Sequence, residues 1–439
     1  NYNVVLGDEA GTALTTGDGN TAIGFEALST EDANGHNTAI GYQALKTLNA
    51  GANSRNVAVG YQAGLDMTTG IRNVLTGSFA GANLIAGSNN VAFGEQALTT
   101  DRNGSHSTAL GHAALASQDF ATAADSNNTA VGHNAGLLIT TGVLNTLVGS
   151  LAGDALTVGN SNVAVGTLAL SADTKGDQSV AIGNNALTAQ NFTTSVDTYN
   201  VAVGAEAGND ITTGVRNVIM GGRAGHKLTD ADHNTAIGDQ AITTDTLGSK
   251  STAVGSGALA TQNFTTATDS FNTAVGYYAS VGITTGRYNT IVGALCCGSM
   301  QTNVEMTAVG YGLAATSQTG RAREIVIGSN GTSGGSNTAR FITSQGSATL
   351  GIDGSDTSWA AASDSRLKKE IANSTVGLEF IKDLRPVTFK WNAKNAIADS
   401  LPQYVANSSD PVYGEGKAHH GFIAQEVKTV IDNHSDVVN

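Results

Sequence analysis

Cysteine, proline, tryptophan and charge are all scarce in this 439-residue chain: 2 Cys, 3 Pro, 2 Trp, 5% aromatic residues and 13% charged residues. The two cysteines are the adjacent pair Cys296 and Cys297, which is no disulfide framework and says little about redox compartment. So few aromatics exclude the bulky core of a typical enzyme of this length, and so little charge excludes the composition of a disordered tail. Cations are scarcer than anions, with 22 Lys and Arg against 36 Asp and Glu and a net charge of -14. A surface of that sign does not track phosphates, so nucleic acid is not an expected partner. No apolar run approaches the roughly 18 residues that span a bilayer and no basic-then-apolar leader opens the sequence, so membrane insertion is not expected either.

What the chain has instead is 55 glycines, 40% hydrophobic residues of mostly small size, and a repeat. The stretch NTAIGYQAL at 37–45 recurs in variants throughout. Aligned on the glycine that closes each Asn-Thr/Val-Ala-Val/Ile-Gly, nineteen copies run from Gly7 to Gly328, most of them 17 residues apart. From Asn56 the steps are 17, 17, 17 and 21, and this set of 72 residues starts again at Asn128 and at Asn200. A short period nested in a longer one signals stacked units, none of which closes a core of its own.

Within one unit, Thr38 and Ile40 face one side of an extended segment and Ala39 the other. Both sides are small or apolar, so the segment is expected to be covered twice, by the interior of its own coil and by a second copy of the chain. The Gly supplies a corner that a Cβ would obstruct. The recurring Asn (Asn20, Asn37, Asn56, Asn73, Asn90) forms a column in which stacked amides hydrogen-bond along the rod. Seventeen residues suit two short strands and two turns per coil. The expected fold is therefore mainly β, a parallel β-roll or narrow β-solenoid of about nineteen coils and roughly 85–90 Å, assembled as a homotrimer. The motif over residues 1–328 resembles the head repeats of trimeric autotransporter adhesins and the repeats of bacteriophage tail fibres.

Each 21-residue step carries a similar insertion: ASQDFATAADSN (116–127), TAQNFTTSVDTY (188–199) and ATQNFTTATDSF (260–271). Phe120, Phe192 and Phe264 are candidate receptor-binding rings, with folding back over a coil edge or into a neighbouring protomer as the plainer role. His112 and His133 follow the coil Gly in adjacent units, but nothing else supplies metal-ligand spacing, so no metal and no cofactor is expected. Cys296 takes a recurrent Ala position and reads as a small buried filler.

Regularity ends at Gly328. Residues 329–362 read as a β-rich connector, and from Ser363 charge becomes dense and helical spacing appears, marking a third region at 363–439. Leu378, Ile381 and Leu384 are spaced as on a helix that Pro386 ends; Val387, Phe389 and Trp391 alternate as a strand; Ile423–Ile431 reads as a second helix. The stretches SDSRLKKEI (363–371), GLEFIKDLRPVTFKW (377–391) and GFIAQEV (421–427) resemble, in order, three signatures of the intramolecular chaperone domain of phage endosialidases. That resemblance implies a small α+β domain that holds three chains in register and then cuts itself away. It implies Ser363 as nucleophile on the carbonyl of Ala362 and Lys368 as its base, with Lys369 at a less fitting spacing. A lysine takes a serine proton only once burial lowers its pKa. Without the resemblance, Ser363 and Asp364 read as a helix cap and Lys368 as a solvated face. Members of that family continue past the GFIAQEV helix, so an incomplete domain is expected here.

Together these readings point to a homotrimeric phage tail fibre or related virion appendage, extracellular, that contacts other tail proteins and a host-surface glycan or protein receptor. Its only chemistry would be one self-cleavage between Ala362 and Ser363. A bacterial trimeric surface adhesin and a polysaccharide depolymerase spike are the alternatives.

Overall fold

The computed structural model describes residues 2–33, 35–51, 53–315, 318–320, 322–352, 360–361, 378–400, 404–412 and 418–434. The chain divides into two compact units, Asn1–Ala361 and Ala362–Asn439.

The first unit is a parallel β-solenoid. Three-residue strands such as Thr38–Ile40, Val57–Val59 and Val74–Thr76 lie in register, Ile40 opposite Val59 and Val59 opposite Thr76. Among the described residues, twenty strands stack in parallel this way. From Thr21–Ile23 to Thr290–Val292, the middle residue of each three-residue strand points inward and is buried, as Ala39, Ala58 and Leu75 are, while its two neighbours face out; in the first strand, Val4–Leu6, Val5 is exposed.

The expectation of two strands per coil is corrected. Most coils hold one strand, and the rest of the turn is a backbone that alternates between negative and positive φ: Gly149 at 139°, Leu151 at 58° and Gly153 at 56° in one coil. That alternation aims successive N–H groups at opposite neighbours. Leu151 donates back to His133 O at 2.9 Å, and Gly153 donates forward to Ala169 O at 2.9 Å. The backbone of the turns is thus paired from coil to coil without a strand, which meets the requirement that buried peptide groups find partners. Among the described residues of the ladder, a second strand, two residues long, appears only beside the 21-residue steps, as in Gly104–Ser105 with Ala124–Asp125.

Packing inside the coil is by complementary volume. Where the fourth residue after the coil Gly is Leu, as at Leu115, the neighbouring strand centre is small, Ala109. Where it is Gly136, the space is filled by Leu147, Leu115 and Ile139, whose methyls lie 2.8–3.1 Å from the position a Cβ would take. At the coil Gly itself, a Cβ on Gly149 would meet the Gly166 carbonyl oxygen at 2.4 Å. No other residue type fits that corner.

The asparagine column is present, with a different bonding scheme from stacked amides alone. Asn145 Oδ1 accepts the backbone N–H of Asn162 at 3.0 Å, and its Nδ2 donates to Gly159 O at 2.9 Å. Asn145 Nδ2 also reaches Asn128 Oδ1 at 3.3 Å. Each side chain therefore ties its own coil to the next through the backbone, a stiffer arrangement than an amide-to-amide ladder.

Stacking does not stop at Gly328. Thr338–Thr343 adds a further parallel strand, with Ile342 opposite Gly328, before the chain turns antiparallel through Gly346–Gly351 and Ala360–Ala361.

In the second unit, helices α1 (Leu378–Asp383) and α2 (Ala424–Asn433) accompany an antiparallel pair, Val387–Phe389 with His419–Gly421. Arg385 Nε and Nη2 donate to the two carboxylate oxygens of Glu426 at 3.0 and 2.5 Å. Among the described residues, no helix is long and apolar enough to cross a membrane.

Candidate functional site

Ala362, Ser363 and Lys368, the expected cleavage site and its base, lie outside the described residues, as does Lys369. Their roles stay at the level of the sequence resemblance.

Phe120, Phe192 and Phe264 are in the first unit, and the structure puts them under the turn, at 8%, 6% and 5% exposure. Rings covered to that extent offer no face to a sugar, which corrects the expectation of receptor-binding rings at these positions. The cause is a hydrogen-bond network repeated at each wide coil. Asp245 Oδ1 accepts the N–H of Gly248 at 3.1 Å and of Phe264 at 2.9 Å, and Oδ2 accepts Gln262 Nε2 at 2.5 Å. Gln262 Nε2 also donates to Ser251 Oγ at 2.8 Å, and its Oε1 accepts Asn272 Nδ2 at 2.8 Å. Asp101 with Gln118 and Asp173 with Gln190 repeat the arrangement. The insertion is thus folded in by a buried carboxylate. Burial is the leading influence on Asp173 and Asp245 and raises both above the ordinary carboxylate range. These aspartates hold backbone and amide donors, and that is their chemistry.

His112 and His133 stack at 5.3 Å with planes 16° apart, both exposed. Among the described residues, no group of three or more His, Cys, Asp and Glu is placed to hold a metal ion. Cys296 and Cys297 are buried free thiols, and the neighbouring Cys296 together with burial pushes Cys297 up.

Three surfaces remain. The first is the outward side of the strand ladder. Val165, Ile182, Val203, Met220 and Ile237 are consecutive partners in one column, and Ile182 and Met220 are still 37% and 41% exposed. Completing the burial of one such side chain is worth about 1 kcal/mol, and the column runs the length of the ladder. The second is the C-terminal unit. None of its described residues is buried, α2 included. Phe389, Trp391, Ile397, Val412, Phe422 and Ile423 line an open apolar groove of about 640 Å³ on it.

The third surface was missed in the sequence. Tyr199, Phe271 and Tyr288 are 46–48% exposed. Each stands immediately before the column Asn, a position with positive φ (50–62° for these three) whose side chain points outward. Tyr199 and Phe271 end two of the insertions quoted above. Polar residues such as Arg55, Arg72 and Asn89 take this position elsewhere, and an aromatic among them is the signal that could have been read.

Residues 363–436 match the family model described as the chaperone of endosialidase. No curated protein and no solved structure matches the chain.

Proposed function

We propose that this chain is a shaft-forming component of a phage tail fibre or spike, extracellular and homotrimeric, which reaches the host surface and is aligned during assembly by its C-terminal chaperone domain. The observation that carries the reading is the apolar column along the strand ladder, unpaid for in a single chain, combined with a C-terminal unit that has no buried residue among those described. Both deficits are met by the same event, the parallel association of identical chains. Endosialidase-type chaperone domains act in trimer assembly, which supports three as the number of chains.

A chaperone suits this shaft for a physical reason. Coils of nearly one shape offer many false registers, because a slip of one coil still sets Val against Ile and glycine against glycine. A clamp that aligns the three C-terminal ends before the coils meet removes those traps. Cutting the clamp away afterwards makes the product kinetically hard to reverse.

The cleavage step follows from the residues carried by the resemblance. Ser363 Oγ attacks the Ala362 carbonyl carbon as Lys368 takes its proton; the peptide C–N bond breaks, the proton passes to the freed Ser363 amine, and an ester links the two residues. Water then opens the ester to a carboxylate on Ala362 and a hydroxyl on Ser363. Light scattering and a denaturing gel test the whole reading. Wild type is expected at three chains per particle with a fragment ending at Ala362, and Ser363→Ala at three chains and uncut. A monomeric wild type would remove the assembly reading, and identical bands would remove the cleavage.

A further inference from the structure

The 72-residue super-repeat gives the shaft three versions of the same wide-coil surface, and the third brings aromatic rings, carboxylates and an arginine together along one open groove. Asp230, Asp232, Asp269, Phe271, Arg287 and Tyr288 line about 640 Å³ of open space there, within the range of about 300–1,000 Å³ in which small ligands are held. We propose that this groove binds a neutral oligosaccharide, the sugar-recognition site through which the shaft contacts its host surface. The inference rests on the attachment reading above and deepens it.

The first argument is that the fold does not require these residues. The positions of Asp230, Arg287 and Tyr288 are occupied in the first super-repeat by Ala86, Val143 and Leu144, and in the second by Val158, Val215 and Arg216. The coil is built equally well in all three. What the fold does keep is a donor bonded to the shared aspartate: His106 Nδ1 lies 3.0 Å from Asp125 Oδ1, Gln178 Nε2 donates to Asp197 at 2.8 Å, and Lys250 Nζ to Asp269 at 2.5 Å.

The second argument is the kind of chemistry present. Phe271 and Tyr288 lie 5.7 Å apart with planes 12° from parallel, and the two residues are 46% and 48% exposed, so aromatic surface at the stack is within reach of the C–H groups of a pyranose. Lys250 and Arg287 sit over the two rings, at 5.3 and 5.7 Å from their centroids. Asp230 Oδ1 accepts Thr213 Oγ1 at 2.8 Å and Asp232 Oδ1 accepts the Val215 N–H at 2.7 Å. The second oxygen of each carboxylate is left to accept a hydroxyl, and Arg287, which forms no ion pair among the described residues, is left to donate. Open ring area flanked by spare acceptors and donors is what sugar hydroxyls and C–H groups require.

The third argument sets the charge of the ligand. Three carboxylates face two cations, one of which is already bonded to Asp269. A uronate or other acidic sugar would bring a fourth negative charge to the groove, so the expected ligand is uncharged.

The test uses the full-length trimer and saturation-transfer NMR with maltotetraose, mannotetraose, galactotetraose and, as the acidic probe, tetragalacturonate. Arg287→Val with Tyr288→Leu reproduces the first super-repeat at these positions, so the double variant folds on a precedent within the same chain. Wild type is expected to bind at least one neutral probe and not the uronate, and the double variant to bind it at least tenfold more weakly at unchanged trimer mass. Absence of neutral binding, preference for the uronate, or equal binding by the double variant would each overturn the proposal. So would loss of the trimer in the double variant, which would make the groove a contact between protomers. A wild-type mass of three chains, read on the same sample, keeps a failure here separate from a failure of the assembly reading.

Discussion

Replacing Gly149 by alanine should open the shaft at one place. Gly149 has φ of 139°, and its new Cβ would lie 2.4 Å from the Gly166 carbonyl oxygen and 2.6 Å from the carbonyl carbon. Neither partner is a side chain that can swing away, so the coils must separate locally by about 1 Å, against a strand spacing of about 4.8 Å. Positive-φ strain costs about 1–3 kcal/mol. Weakening the bond from Gly166 N to Val148 O, 2.8 Å long, or a neighbour of it adds about 1–3 kcal/mol for a buried peptide group left unpaired. A local destabilisation of about 3 kcal/mol corresponds to roughly a hundredfold increase in the opening equilibrium. Because a solenoid is held by neighbour-to-neighbour terms, the effect should stay within a coil or two. Hydrogen exchange followed by mass spectrometry reads it: peptides spanning 146–166 should exchange about a hundredfold faster, with peptides around residue 75 unchanged. Gly51→Ala is the control, since φ there is 68° and nothing lies within 4 Å of the added methyl. Equal behaviour of the two variants would refute the claim that contact between coils, and not φ alone, demands glycine at the corner.

Removing the amide of Asn145 by alanine leaves the Asn162 N–H and the Gly159 carbonyl without their partners and should cost about 2–5 kcal/mol, seen as a lower denaturant midpoint. Asp173 and Asp245, raised by burial, bind a proton in the folded state at pH values where the unfolded carboxyl, with a pKa of about 3.9, has lost it. Their contribution to stability therefore grows as pH falls through the raised folded values and is complete below the unfolded one. The melting temperature of wild type minus that of Asp173→Asn with Asp245→Asn should increase from pH 7 to pH 4 at constant ionic strength, and a difference that shrinks would contradict the burial argument. Val203→Lys sets three ammonium groups on the outward column of the proposed trimer; light scattering should show the trimer reduced at least tenfold while the circular dichroism of the β-solenoid persists.

The period of 17, the glycine corner and the alternation of Ala against Thr and Ile in the strands were legible in the sequence, because each is a local rule written many times over; the α+β character of the C-terminal unit was legible from its own spacing, while which side of the strand faces inward came from the structure. Repetition averages out the ambiguity of any single copy. The number of strands per coil was not legible: a turn built from alternating φ places residues such as Leu45, Arg72 and Phe79 at positive φ, against their own preference, and is held there by bonds to the coils on either side. The fate of the insertions was hidden for a similar reason. Whether Phe264 or Phe271 reaches solvent depends on Asp245, which captures the Phe264 N–H across 19 residues and closes the loop inward. Sequence alone thus determined that the chain stacks, and with what period. Tertiary structure decided which rings are covered, which carboxylates are spent on the backbone and where a groove remains, because those outcomes belong to contacts between coils and not to any one of them.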